Sequence, residues 1–402
     1  TASGSLAKIK KSRNSLTGQF LSSSLHRSLK NNINSVNSRE SIQIINAKSN
    51  NLKIPNVYFP LNALTVVTGL SGSGKSTLVK NVLSTNLSRL ISRRSVGGKS
   101  VKFTGCESMV NFEKVNRVLE VDQSPIGKTP RSCPATYIGI WNIIRDIFSS
   151  TEFARLRGFN SSRFSFNKKE GSCSSCNGQG YRRIEMNFLS DVKVLCDDCG
   201  GMRFNTDTLA IKFREVSIGQ VLDMTIEKAA DFFSSHHVLH KTLRLMVEVG
   251  LGYLRLGQPC HTLSGGEAQR IKLVSELAKM GAKANYDRDK NALTAVYVLD
   301  EPTVGLHMAD VEKLIQVLNK LVSAGNTVVV IEHNVDIWAE ADWIIDLGPE
   351  GGDAGGEILF MGHPSQIIHN SNSYTGRELR KFLKKDTNNS SETLKIKQTK
   401  RK

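Results

Sequence analysis

The chain lacks any apolar run close to the roughly 18–20 residues that a membrane span requires. Membrane-embedded classes are therefore set aside, and a soluble protein is expected. An initiating methionine and an apolar signal core are also missing from the start, so the opening residues read as the edge of a piece of a longer protein. There is no disulfide framework either. Of seven cysteines, four form two C-x-x-C pairs, and Cys106, Cys133 and Cys260 stand alone. That pattern suits a reducing, cytoplasmic setting and a metal site better than disulfide staples. Acids are short as well: 37 Asp and Glu face 54 Lys and Arg, a net charge of +17. Residues 1–40 carry +6 of this and residues 377–402 carry +7, so the middle is only mildly basic. Basic ends attract a polyanion through counterion release, or simply keep a disordered end soluble; composition leaves both open. Apolar residues are plentiful, at 39% of 402, which is too many for a disordered chain and enough for two or more domains.

The stretch Val66-Val67-Thr68-Gly69-Leu70-Ser71-Gly72-Ser73-Gly74-Lys75-Ser76-Thr77 organises the rest. Gly69, four residues, then Gly74-Lys75-Ser76 is the full phosphate-cradling pattern. Several backbone N–H groups must converge on one hollow, and glycines permit the dihedrals this needs. A helix starting near Lys75 adds its positive dipole end. Lys75 is placed to reach the β- and γ-phosphates and Ser76 to hold Mg²⁺. Leu64 to Thr68 supplies the strand before the loop. Leu78, Val79, Val82, Leu83, Leu87 and Leu90 recur at helical spacing after it, which predicts a helix over about 76–91.

Before the loop, residues 1–40 read as a polar linker with short helical pieces, and Ser41 to Ile45 as a strand. Ser15 to Leu21 resembles Ser373 to Leu379, a weak internal repeat that hints at the tail of an earlier, duplicated unit. Val118 to Gln123 reads as a strand ending in a polar pair. Gln123 could reach Mg²⁺ or an attacking water, but by itself reads as an ordinary strand-end amide. A helix is expected over Tyr137 to Ile147. Beyond it, Arg155, Arg157, Phe159, Arg163, Phe164 and Phe166 interleave arginines with rings. This suits phosphates and exposed bases, or a loop that packs its phenylalanines.

Cys173-Ser-Ser-Cys176 and Cys196-Asp-Asp-Cys199, nineteen residues apart, can close a tetrahedral shell of four thiolates around Zn²⁺. Four thiolates leave no open position, so the expected role is structural. Tyr181-Arg182-Arg183 and a Met186–Leu189 segment between the pairs read as two strands. Such a metal-stapled hairpin presents cations to nucleic acid, or staples a small subdomain that touches nothing. Helical periodicity returns over Ile226 to Phe233 and Leu239 to Leu251. Leu263-Ser264-Gly265-Gly266-Glu267-Ala268-Gln269-Arg270 then opens a helix through Leu277. Ser264 is an N-cap type, and Gly265 and Gly266 leave bare N–H groups for a second anion hollow.

Val296 to Glu301 is a buried strand ending in two carboxylates. Asp300 is placed to bind Mg²⁺ and Glu301 to polarise the attacking water. Thr327 to Glu332 is a further apolar strand, and His333 at its end is placed for a γ-phosphate contact. Trp343 to Leu347 and Glu357 to Met361 read as closing strands.

This ordered set resembles the ATP-binding-cassette ATPases. The interior resembles the UvrA family, the damage-recognition ATPases of bacterial nucleotide excision repair. The resemblance is carried by Val121 to Ser132, the four-cysteine module and Asp346-Leu347-Gly348-Pro349-Glu350-Gly351-Gly352. It runs from about Ser41 to Leu379 and is to the C-terminal half, the second ATPase unit. It implies an α/β cassette core, a phosphate loop with a mixed sheet and flanking helices, carrying an inserted helical signature domain with a zinc module. The implied divisions are a linker over 1–40, core over 41–122, signature domain over 123–290 with its zinc module near 171–201, core again over 291–380, and a basic tail over 381–402. The implied cofactors are ATP, Mg²⁺ and Zn²⁺. Gly69, Ser71, Gly72, Ser73, Gly74, Lys75, Ser76 and Thr77 would hold nucleotide, with Asp300, Gln123, Glu301 and His333 at the reacting end. Ser264, Gly265 and Gly266 would carry the signature role. Ser76 and Asp300 would take magnesium, and Cys173, Cys176, Cys196 and Cys199 would take zinc. The implied partners are damaged double-stranded DNA, contacted by Arg155, Arg157, Arg182 and Arg183, and a second unit, either the N-terminal half or another copy. UvrB would be reached through the N-terminal half. Val304 stands where threonine is more usual, and Lys279 to Leu293 is longer and more polar than the family pattern.

Overall fold

The computed structural model describes residues 2–22, 40–94, 102–127, 131–186, 192–283 and 294–383, with positions 29 and 129. The polar linker beyond Ser22, residues 187–191 of the expected hairpin, the long segment over 284–293 and the tail from 384 lie outside the described residues. The chain divides into two compact units, one formed by residues 1–122 and 286–402, the other by 123–285.

In the first unit, β1 (Ser41–Ala47), β2 (Ile54–Pro60) and β4 (Ser108–Val110) form an antiparallel sheet in the order β2-β1-β4. The larger sheet contains β3 (Leu64–Gly69), β5 (Val115–Val121), β10 (Thr294–Asp300), β11 (Thr327–Ile331), β12 (Trp343–Gly348) and β13 (Glu357–Gly362). Its order is β13-β12-β3-β11-β10-β5, and only β13 runs antiparallel to its neighbour. Parallel strands covered on both faces need near-continuous apolar runs. β11, Thr327-Val-Val-Val-Ile331, is buried at every position, and β3 at all but its last. Neither strand alternates, so their apolar runs mark depth in the sheet. Val67, Val298, Val329, Ile331 and Ile345 share one core with Leu78, Val79, Val82, Leu83 and Leu87 of the helical stretch after β3. That stretch is not a plain α-helix. It runs with π-type hydrogen bonding over Thr77–Ser84, then as α-helix over Thr85–Arg94.

β2 and β4 are additions to the strands read from sequence. β5 ends at Val121, so Gln123 lies two residues past the strand. The linker contains helices Leu6–Lys11 and Leu16–Ser22.

The second unit contains β6 (Tyr181–Ile184) and β7 (Val192–Leu195), an antiparallel pair, and the short pair β8 (Lys212–Phe213) and β9 (Val216–Ser217). β7 begins three residues after the apolar segment expected to form it. The helix expected over 137–147 is two, Pro134–Ile138 and Ile140–Ser149, broken at Gly139 with φ 89°. A left-handed residue there ends one helix and starts the next. Trp141, Phe166 and Phe204 pack with ring centroids 5.6–6.4 Å apart, and Phe148 meets Phe164 at 5.8 Å. Phe164 and Phe166 are thus core residues, which decides the ring–arginine alternation at those two positions in favour of packing.

Candidate nucleotide-binding site and metal centre

The loop Gly69–Ser76 leaves the C-terminal end of β3, between β12 and β11. Ligands of open α/β sheets bind at this edge. Gly69, Gly72 and Gly74 take φ of 127°, 79° and 100°, so each needs glycine. A Cβ on Gly69 would also lie 2.1 Å from the Leu347 carbonyl oxygen. Ser73 Oγ is buried with no hydrogen-bond partner, and buried polar atoms without partners are rare. Lys75 is 6% exposed, and its Nζ donates to the carbonyls of Gly69 at 3.0 Å and Leu70 at 2.7 Å. Burial lowers its pKa, opposed by the charges of Glu301, Asp300 and Asp346. An orphaned hydroxyl, a glycine-lined turn and a buried ammonium facing three acids fit a polyphosphate and its cation.

Two strands away, β10 brings Asp300 and Glu301 to the same edge. Asp300 Oδ2 pairs with Lys80 Nζ at 2.5 Å. Glu301 has φ 44° and donates its N–H to the Ile331 carbonyl at 2.9 Å. A non-glycine residue in the left-handed region costs on the order of 1–3 kcal/mol and gathers at functional sites. The conformation turns the chain off the strand and leaves the carboxylate half exposed. His333 Nε2 lies 3.7 Å from Glu301 Oε1. The structure therefore brings Lys75, Asp300, Glu301 and His333 to one sheet edge, with Ser76 exposed at the start of the helix.

Three residues of this edge escaped the sequence reading. Glu332 is 2% exposed, and its carboxylate accepts from the N–H groups of Thr303 at 2.8 Å, His333 at 2.7 Å and Asn334 at 3.1 Å. It fixes the turns that hold Glu301 and His333. Asn51 Nδ2 donates to the carbonyls of Gly72 and Gly352, both at 2.9 Å. Asp346, 1% exposed, lies beside Thr68. Glu332 had a local signal, an acid beside His333 at the end of an apolar strand; Asp346 opened a stretch that carries the family resemblance but was given no role, and Asn51 had no signal.

In the second unit the sulfurs of Cys173, Cys176, Cys196 and Cys199 all lie within 4.8 Å of one another, and all four residues are buried. Cys173 and Cys196 are 3.8 Å apart, Cys176 and Cys199 3.7 Å. The Gly180 N–H donates to Cys176 Sγ at 3.2 Å. Burial pushes Cys196 up, but backbone N–H groups of Cys199 and Asp198 aimed at its sulfur prevail and bring it down to about 7. Burial drives Cys199 up to about 12. A compact set of four soft donors with backbone donors on the sulfurs fits Zn²⁺.

Arg182 belongs to this centre. Its guanidinium pKa is raised by a hydrogen bond to the Cys196 sulfur and then by Asp198, whose Oδ2 is 3.3 Å from Nη2. Arg183, Arg155 and Arg157 are exposed, the last two at the end of the short helix Glu152–Leu156.

Ser264 opens the helix Gly265–Lys283. Its N–H donates to Glu267 Oε2 at 2.7 Å, and Glu267 N–H donates back to Ser264 Oγ at 3.3 Å. This is a closed capping box. Gln123 lies against Gly265, where a Cβ would stand 3.1 Å from the Gln123 Cβ.

No protein-family model matches the chain. Over 382 residues, 95% of its length, it is 48% identical to the UvrABC system protein A of Clostridium acetobutylicum. It is 46% identical over 386 residues to the protein of the same name from Aquifex aeolicus. These matches cover 39% and 40% of the relatives, so the chain spans about two fifths of the length of the curated proteins it matches. The solved structure of UvrA2 from Deinococcus radiodurans superposes with a TM-score of 0.80 at 39% identity, over 95% of this chain and 44% of that one.

Proposed function

We propose, from the premise that this chain is homologous over nearly its whole length to UvrABC system protein A, that it is the C-terminal ATPase half of a UvrA-type protein. Its reaction is ATP hydrolysis coupled to recognition of damaged duplex DNA in nucleotide excision repair. One observation carries the reading: a phosphate loop and an Asp-Glu pair share one sheet edge, in a chain that also holds four clustered cysteines.

ATP enters with its phosphates in the hollow of Gly69 to Thr77, where the backbone N–H groups and Lys75 meet the β- and γ-phosphates. Ser76 and Asp300 would hold magnesium, which neutralises charge on the transferring phosphoryl group. Glu301 orients the attacking water and accepts its proton, and His333 contacts the γ-phosphate. Glu332 acts through the turns it fixes.

Residues 123–285 serve as the signature domain. Ser264, Gly265 and Gly266 face the nucleotide of a second unit, with Gln123 beside them, so full turnover requires that unit: the N-terminal half or another copy. The zinc-held hairpin, with Arg183, Arg155 and Arg157 as exposed cations and Arg182 as part of the staple, is the DNA-contacting element. UvrB engages the N-terminal half of the assembly.

ATPase rate with and without duplex DNA, with the metal chelated and then restored, tests the reading. We expect stimulation by DNA that is lost on chelation and returns with Zn²⁺. Turnover indifferent to DNA at low salt, with zinc loaded, would overturn it.

A further inference from the structure

The phosphate loop is held by more than its own strand. β12 runs parallel to β3, with Asp346 opposite Thr68 and Leu347 opposite Gly69. The chain beyond β12 then passes behind the loop. The Gly352 N–H donates to the Gly72 carbonyl at 3.1 Å, and a Cβ on Gly351 would come 2.5 Å from the Ser71 carbonyl oxygen. Residues 346–352 are therefore the backing against which the loop is shaped.

At the root of that backing sits a fully buried carboxylate. Asp346 Oδ1 accepts from Thr68 Oγ1 at 2.7 Å and Thr375 Oγ1 at 2.9 Å, and Oδ2 accepts from Ser373 Oγ at 2.6 Å. Burying a polar carboxyl group is costly compared with an apolar side chain of the same size, so packing alone does not account for it. Thr68 is the last residue before Gly69. Through Asp346 the helix over 374–383 is tied to the point where the phosphate loop begins.

The weak internal repeat separates the local part of this arrangement from the distant part. Ser15 Oγ accepts from the Gly18 N–H at 3.0 Å, just as Ser373 Oγ accepts from the Gly376 N–H at 2.8 Å. Both Ser-x-Thr-Gly segments thus cap their own turn. In the first copy, however, Thr17 Oγ1 meets His307 Nε2 at 3.0 Å, and among the described residues no carboxylate bond to Ser15 or Thr17 is seen. The tie to Asp346 is an addition to the motif, not a requirement of its turn.

We propose that Asp346 is a positioning residue for nucleotide binding, and that the segment 373–383 is a strap which, through Ser373 and Thr375, holds the exit of β3 and the backing of the phosphate loop in register. The inference rests on the ATPase reading above. The test uses the full chain and three variants: the pair Ser373→Ala with Thr375→Val, Asp346→Asn, and the conservative Thr375→Ser. Affinity for a fluorescent MgATP analogue is measured beside amide exchange over Gly69 to Lys75 and the unfolding midpoint without nucleotide.

We expect about tenfold weaker binding in the double variant, faster exchange over the loop, and affinity kept within about twofold of the unmodified chain in Thr375→Ser. Asp346→Asn should lose more than the pair. If Asp346→Asn does not fold, the double variant and the exchange readout still decide. A lowered unfolding midpoint with unchanged affinity and unchanged loop exchange would reduce the strap to a structural tie and overturn the proposal. An unmodified chain that binds no nucleotide would fail at the earlier step, sinking the ATPase reading and this inference together.

Discussion

Two helix starts in this protein look alike in sequence and differ in what their N–H groups do. The start after Gly69 is followed by Ser71, Gly72, Ser73 and Gly74; the other is Ser264, Gly265 and Gly266. Each places small residues and glycines before a helix, the composition that frees backbone donors for an anion. In the first, no acid closes the turn: Ser73 Oγ has no partner, and Lys75 bends back onto the carbonyls of its own loop. In the second, Glu267 reaches back to the Ser264 N–H, so the helix supplies its own anion. Burial pushes the Glu267 carboxyl up, but hydrogen bonds from Tyr253 and Ser264 prevail and hold it below its usual range. One start is a socket kept open; the other is capped from within.

The contrast breaks most visibly at Lys75. Lys75→Ala should remove the only ammonium buried in the loop and lower affinity for ATP by about a hundredfold or more, since hydrogen bonds to charged groups each contribute about 1.5–3 kcal/mol; calorimetric titration with MgATP reads this. Affinity within a factor of two of the unmodified chain would show that the socket does not hold nucleotide. Glu301→Gln should come next, with hydrolysis falling by about 10²–10⁴ while nucleotide stays bound. Single-turnover hydrolysis beside binding separates the two, and a full rate would remove Glu301 from the reaction.

The smallest effect belongs to the capped start. Glu267→Ala should cost about 0.3–1.5 kcal/mol, seen as an unfolding midpoint lower by a few degrees. The pH dependence sharpens it. A carboxyl whose pKa is depressed by folding adds stability while ionised, above its unfolded pKa, and loses it as pH falls through its folded pKa. The gap between unmodified and variant chains should therefore be full at neutral pH and close on acidification below the usual carboxylate range. A gap that is the same at acid and neutral pH would show that the cap acts through packing rather than charge.

Much of the site was legible because its parts are contiguous. Gly69 to Ser76, Asp300-Glu301 and the two C-x-x-C pairs are each local patterns, with chemistry set by residue type at short spacing. The parallel strands were legible too, because burial on both faces requires unbroken runs such as Thr327 to Ile331. Less was visible wherever a contact spans a long loop. Asn51 meets Gly352 across 301 positions, and Asp346 meets Thr68 across 278. Phe164 and Phe166 were ambiguous beside their arginines, since a ring for stacking and a ring for packing are the same residue.

The amino-acid order by itself made the phosphate-type loop, the strand-end acids and the four-cysteine set legible as candidate sites, because glycine dihedrals, strand-end acids and paired cysteines act within a few residues. Only the tertiary structure decided which arginine is tied to the cysteine centre and which carboxylate anchors the phosphate loop. Those outcomes depend on partners brought together by folding, and sequence spacing places no constraint on them.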